Sequence, residues 1–379
     1  MNILIVINGA ITKIDGELYK DNGTVDFFNE ITDETTLTYW HEPINELNGM
    51  NNGLQGKKVP LDRIKIFVNM VMKPHKYKIL NQIHKFYFFI ISILKSIFLF
   101  HKIDFIYVYM PSRLSIITAY LAYLFKIPFG IYLRGVYPEK SHEYTFLFKK
   151  AKFILVVGSY FQKNLLPYNT NTHIVSPMMS ISESDLYVKK IHQKDIINVL
   201  FVGRVEKAKG ILTLMESAKK LSNQRNKIKI HVVGGGDKVD AISQYIKNEK
   251  LEDYVYIHGL VANKETLKQM YHDADIFILP TEHEGFPRVL YEAMTYSVPV
   301  ITTFVGSISS VMVDRYNCIE IPVSDSDAIV EAITLLSNDS NLRSKLSNNC
   351  FSTMRDFFET KSKYSHAQQV IKLAKGQEI

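Results

Sequence analysis

Gly203, Arg204 and Lys209 lie in "FVGRVEKAKG" (201–210), where a short apolar run gives way to a glycine and two well-spaced cations. A strand end feeding a helix is where α/β proteins hold phosphate. Two carboxylates, Glu284 and Glu292, lie in "ILPTEHEGFPRVLYEAMTYSVPVITT", with seven residues between them. An ionised carboxylate accepts two hydrogen bonds from a vicinal diol, so acids here suit ligand hydroxyls. Eight residues are slightly over two helical turns, so a helix starting near Pro287 would let both acids face one ligand. Plainer roles remain open. Arg204 could form a surface ion pair, and the acids could be a helix cap and a solvated group.

The acid pair, with "EGF" ahead and "EAM" behind, resembles the EX7E motif of the retaining family 4 glycosyltransferases, which have the GT-B fold. "GRVEKAKG" is similar to that family's G-R-x-x-x-x-K-G stretch. The order also follows the family: GR…KG, a glycine-rich "VVGGGD", "DADIFILP", the acid pair and G-x-P-V. The likeness runs in register over about 198–335.

The resemblance implies that Arg204 and Lys209 bind the diphosphate of a nucleotide-sugar donor (UDP or GDP) and stabilise it as it departs. It implies that Glu284 contacts the donor sugar and Glu292 the ribose hydroxyls. Gly203, Gly234, Gly235, Gly285 and Phe286 would line the donor, and no separate cofactor is implied. Two cations beside a departing diphosphate offset the charge that develops on it. A tight βα turn would use the same glycines. Pro287 stands where many relatives have glycine, and it offers no N–H to a sugar hydroxyl. Ser307 and Ser310, in "VGSISSV", stand in place of G-G-x-x-E. Both departures touch donor-sugar recognition, so the sugar is not legible.

In the first half, "NGAITKIDGELY" (8–19) follows the first strand and reads as a loop with Gly9 and Gly16. By resemblance it would lie over the donor diphosphate, with Gly16 the preferred contact. It holds no G-x-G-x-x-G, so a nicotinamide or flavin site is poorly supported. "IYLRGVYPEK" puts Arg134 at a strand's carboxyl end, where it would meet acceptor or phosphate, or simply face solvent. "DAD" (273–275) and "DSD" (325–327) read as a strand start and a helix N-cap rather than a metal motif. No metal is expected.

Around these residues, apolar runs alternate with helical patterns. In the first half they are "NILIVIN", "DFIYVYM", "IPFGIYL", "KFILVVG" and "THIVSP". In the second they are "NVLFVGR", "KIKIHVVGGG", "YVYIHGL", "ADIFILP", "VPVITTF" and "CIEIP". Strands apolar throughout and separated by helices predict parallel sheets covered on both faces. The expected architecture is two Rossmann-like doubly wound α/β domains, 1–180 and 181–359, with an interdomain cleft and a linker at about 181–197. The tail 356–377 reads as one final helix, packing back on the first domain.

At 379 residues the chain is long enough for two cores, and 46% hydrophobic content is a globular value. Two cysteines make no disulfide framework and fit a reducing compartment. The first residues read as a strand rather than a signal peptide. Residues 1–180 hold 20 Lys/Arg against 13 Asp/Glu, the remainder 25 against 25, and 57–102 hold ten against one. "FYFFIISILKSIFLF" (86–100) is too short to cross a bilayer and is interrupted by Lys95. It is expected to pack on the sheet, with the cations of 57–85 facing anionic headgroups. Nucleic acid is not expected, since no helix-turn-helix, RNP or KH signature accompanies the charge.

The function this implies is a cytoplasmic or inner-face peripheral glycosyltransferase. It would act on a lipid-linked or oligosaccharide acceptor in bacterial surface polysaccharide synthesis. A nucleotide-sugar epimerase and a non-catalytic glycan-binding subunit of the same fold are the alternatives.

Overall fold

A computed structural model describes residues 1–7, 11–14, 17–35, 37–41, 44–47, 57–60, 64–66, 71–72, 87, 90–91, 93–94, 97–138, 141–179, 181–224, 227–261, 263–361 and 365–379. The chain divides into two compact units, one of Met1–Ser180 with Lys363–Ile379 and one of Ile181–Ser362.

The first unit is built on a seven-stranded parallel sheet. Its order is Thr172–Ile174, Phe153–Val156, Phe129–Leu133, Phe105–Met110, Asn2–Val6, Leu37–His41, Ile64–Ile66. Phe105–Met110 is buried at every position, as a strand covered on both faces must be. One face packs Val108, Met110, Ile131 and Leu133 against helices Arg113–Leu124 and His142–Lys150. The other face carries aromatic rings. Tyr107, Tyr132 and Phe27 surround His366, at the start of helix His366–Lys375, with centroids 6.0, 4.5 and 5.1 Å from its ring.

Three features of this unit differ from the sequence reading. Residues 8–19 do not form one loop, because Ile11–Ile14 and Glu17–Lys20 pair as antiparallel strands. With Lys57–Lys58, Ile44–Leu47 and Val71–Met72 they make a separate five-stranded sheet. These strands have at most four residues and mix polar with apolar side chains, so they carry no apolar run. Gly9 and Gly16 lie outside the described residues. The tail is not one helix: Ser340–Lys361 ends, and Ser365 starts another with a reciprocal capping box to Gln368. Finally, Tyr87, Ile90, Leu94, Ile97 and Phe98 are exposed rather than packed on the sheet.

The second unit holds a six-stranded parallel sheet in the order Val255–Gly259, Ile228–Val233, Ile197–Val202, Ile276–Leu279, Val300–Thr302, Cys318–Glu320. These are the six apolar runs of the second half. Asp275, at the foot of its strand, is buried and accepts from Lys194 at 2.6 Å and from the Asn198 N–H at 3.0 Å. Asp325 caps helix Ser326–Asn338, accepting from the N–H groups of Asp327 and Ala328.

Residues 181–197 are not a free linker. The Tyr187 N–H donates to Thr295 and the Ser297 hydroxyl to Tyr187. Arg343 donates to the His192 carbonyl at 3.1 Å. The buried Lys189 ammonium caps the carbonyls of Tyr271, His272 and Ala274, where helix Lys264–Asp273 ends. Burial lowers its pKa to about 8. One buried cation thus satisfies helix-end carbonyls that lack intrahelical partners.

Candidate functional site

Parallel strands present their carboxyl ends on one edge of a sheet, and the four central strands of the second unit deliver the site there. Strand Ile197–Val202 runs into Gly203 and Arg204, then a short 3-10 turn, Lys207–Lys209. Strand Ile276–Leu279 runs into the loop holding His283, Glu284, Gly285 and Phe286, and helix Arg288–Thr295 follows.

The two loops are stitched together. The Glu282 N–H donates to the Ala208 carbonyl at 2.9 Å, as does the Thr281 hydroxyl at 2.9 Å. This brings Lys209 and Glu284 into direct contact as an ion pair, with 13% and 11% of their side chains exposed. Such a pair is held nearly dry, so either charge would be costly without the other.

Glycines set these close approaches. Gly234 has φ +141°, and a Cβ there would lie 1.8 Å from the Gly203 carbonyl oxygen. Its N–H donates to Gly259, while the Gly203 N–H donates to Val233. A side chain at 234 would therefore push the Arg204 loop off the sheet edge. Gly306 has φ +60°, and its Cβ would meet the Glu284 carbonyl oxygen at 1.8 Å. The adjacent Ser307, buried, donates its hydroxyl to the Gly285 carbonyl. The serine at the departure from G-G-x-x-E thus fastens the Glu284–Gly285 loop.

Arg204 is exposed and pairs with Glu206 at 2.8 Å. Glu292 accepts from the Tyr271 hydroxyl at 2.9 Å. Burial raises the Glu292 pKa, opposed by that bond and by Arg288 and Lys264. Burial also holds the Tyr271 hydroxyl well above its ordinary pKa. The acids are not related by helical turns. Residues 284–286 are not helical, Pro287 is the N-cap and Glu292 lies just past the first turn. Each acid has its own partner, Lys209 or Tyr271. Gly285 is buried, Gly235 lies beside the Leu260 side chain, and the Phe286 ring packs on Tyr291 at 4.7 Å.

In the first unit, Arg134 is half-buried. Its N–H donates to Met110 at 2.9 Å, and its guanidinium lies 5.7 Å from the Tyr109 ring centroid. Tyr271 is the residue that motif reading missed, and for Ser307 it missed the bond to Gly285. The signal for Tyr271 was weak, a tyrosine inside a helical pattern. Among the described residues, no three His, Cys, Asp or Glu side chains group as a metal site would need.

Residues 185–352 match the family described as glycosyl transferases, group 1. The capsular polysaccharide biosynthesis glycosyltransferase CapM of Staphylococcus aureus is 26% identical over 288 residues, 68% of this chain and 74% of that protein. In three other curated relatives the matched stretch spans 46%, 40% and 61% of their own length. A glycosyltransferase from Rickettsia africae superposes with a TM-score of 0.65 at 15% identity, over 100% of this chain and 99% of that one. Anabaena HepE, solved with UDP-glucose, gives 0.66 at 15% identity over 98% of both chains. The fold is GT-B.

Proposed function

We propose that this protein is a glycosyltransferase that moves a sugar from a nucleotide-diphosphate donor to a hydroxyl acceptor, with retention at the anomeric carbon. The observation that carries this is the Lys209–Glu284 pair, nearly dry at the carboxyl edge of a parallel sheet, with Arg204 on the same loop as Lys209. The group 1 glycosyl transferase match of 185–352 covers all of these residues.

In this reading, Arg204 exchanges Glu206 for a donor phosphate, and Lys209 contributes a second positive charge. Together they offset the charge that builds on the diphosphate as the glycosidic bond breaks. The metal-independent reading rests on these two cations. Glu292 takes the ribose hydroxyls, and Glu284 lies against the donor sugar. A carboxylate neutralised by Lys209 is a weak nucleophile, which favours a front-face path assisted by the leaving group over a double displacement.

The similarity to CapM, a capsular polysaccharide biosynthesis glycosyltransferase, supports a bacterial surface polysaccharide as the product class. The acceptor in this reading is a lipid-linked saccharide. The test is a thermal-shift panel of UDP, GDP and their sugars, followed by a transfer assay with labelled donor. A shift for one nucleotide diphosphate, with label passing to a saccharide acceptor, is expected. Interconversion of donor sugars without an acceptor would establish an epimerase instead. A stable sugar–enzyme adduct in mass spectra would overturn the front-face path.

A further inference from the structure

Glu292 and Tyr271 come from two helices of the second unit, Arg288–Thr295 and Lys264–Asp273. The Tyr271 hydroxyl donates to Glu292 Oε2 at 2.9 Å. Tyr271 is buried, and three contacts fix its place. The Tyr296 ring stacks on it at 5.3 Å, and the Phe277 ring lies tilted against it at 5.9 Å. Its carbonyl accepts from the buried Lys189 ammonium at 3.4 Å. Glu292 is only partly buried. A fixed phenol therefore meets a carboxylate that solvent still reaches.

That contact divides the carboxylate between protein and ligand. An ionised carboxylate accepts at about four lone-pair positions, and Tyr271 takes one of them on Oε2. Among the described residues, Oε1 has no hydrogen-bond partner. The Tyr271 hydroxyl keeps its proton, because burial holds its pKa well above the ordinary value, so toward Glu292 it acts as a donor alone. A bond donated to the charged form favours that form. Burial raises the Glu292 pKa, and Tyr271 opposes it first, then Arg288 on the same helix and Lys264 on the helix of Tyr271. Tyr296, just past the Glu292 helix, also keeps its proton and adds no charge.

We infer that Tyr271 is a positioning residue for the donor: by taking Oε2 it fixes the Glu292 carboxylate with Oε1 left to the ribose hydroxyls, and so makes the site choose ribonucleotide over deoxyribonucleotide donors. The inference rests on the reading in which Glu292 takes the ribose. Without the phenol, less offsets the cost of burying the charge, and the carboxyl binds a proton at higher pH. A protonated carboxyl accepts fewer bonds from a diol. The choice of ribose should then fail on acidification sooner than in the parent.

Calorimetric titration with UDP and GDP, each against its dideoxy form lacking both ribose hydroxyls, tests this at a series of pH values. The two forms carry the same diphosphate, so their affinity ratio reads the ribose contact apart from the phosphate contact. The parent should prefer the ribonucleotide and lose that preference as the pH falls. In Tyr271→Phe the loss should begin at higher pH, with the preference lower by about tenfold where the two profiles differ most, and raising the pH should restore it. Glu292→Gln should show no pH-dependent preference. A Tyr271→Phe profile that coincides with the parent's, or lies below it by one factor at every pH, would overturn the positioning role and leave the ribose reading standing. A parent that binds neither nucleotide, or binds both forms equally, would overturn the ribose reading and the inference with it. Denaturant melts read the same bond with no ligand, since the losses for Tyr271→Phe and Glu292→Gln should not add in the double variant. Additive losses would show that the two side chains act independently, and would also overturn the inference.

Discussion

The Lys209 ammonium and the Glu284 carboxylate touch across two loops that enter the sheet edge 75 residues apart in sequence. Removing one partner leaves the other charge nearly buried and alone. Lys209→Ala should therefore cost about 2–4 kcal/mol of stability in the second unit. The double variant Lys209→Met, Glu284→Gln should recover most of that loss while remaining inactive. Denaturant melts of the three proteins check it. A single variant as stable as the parent would show that the pair is not held dry.

Arg204 predicts the opposite pattern. Its ion pair with Glu206 is exposed, and such pairs contribute about 0–1 kcal/mol. Arg204→Ala should leave the melting temperature of the free protein almost unchanged. It should abolish the added stabilisation by nucleotide diphosphate, which follows RT ln(1 + [L]/Kd), and lower the transfer rate by about 10²–10³. A full ligand-induced shift in the variant would remove Arg204 from the phosphate site.

Much of the second unit is legible in the sequence because its strands contain apolar runs bounded by glycine or proline. Burial of the central ones, Ile197–Val202, Ile276–Leu279 and Val300–Thr302, on both faces demands such runs. The candidate site residues are read as types and spacings. Their pairings are not. That Lys209 takes Glu284 and Glu292 takes Tyr271 depends on which segments meet, 75 and 21 residues apart in sequence, a tertiary fact with no periodic signature. The 181–197 segment read as a linker because it is polar, yet Lys189 is buried by the helix-end carbonyls it satisfies. The strands at 11–14 and 17–20 were missed for the converse reason, having too few apolar residues to show a period.

Gly306 tests how Glu284 is positioned. A Cβ there would overlap the Glu284 carbonyl oxygen, and the left-handed backbone adds strain of about 1 kcal/mol or more for any other residue. Gly306→Ala should displace the loop that Ser307 fastens. Donor binding should fall by more than the stability loss explains, measured as a thermal shift at saturating nucleotide. Ser307→Ala removes the hydroxyl bond to Gly285 without the overlap and should give a smaller effect in the same direction. Normal donor binding by Gly306→Ala would show that the loop relaxes elsewhere.

The last prediction concerns the first unit. His366 is buried among Tyr107, Tyr132 and Phe27, with Nε2 2.8 Å from the Tyr107 hydroxyl and Nδ1 without a partner. Burial, with a smaller push from Arg134, lowers its pKa from an ordinary 6.5 to about 3. The unfolded chain binds this proton below pH 6.5 while the folded unit refuses it until about pH 3. The stability this group contributes is therefore full above 6.5 and lost on acidification across that window, at up to about 1.4 kcal/mol per pH unit. Denaturant unfolding followed by circular dichroism at a series of pH values measures it. His366→Phe keeps an aromatic ring in the cluster and removes the titration. Its stability should fall less steeply than the parent's between pH 6.5 and 3. Equal slopes for the two proteins would mean that the imidazole accepts its proton in the folded state, and that the cluster is open to water.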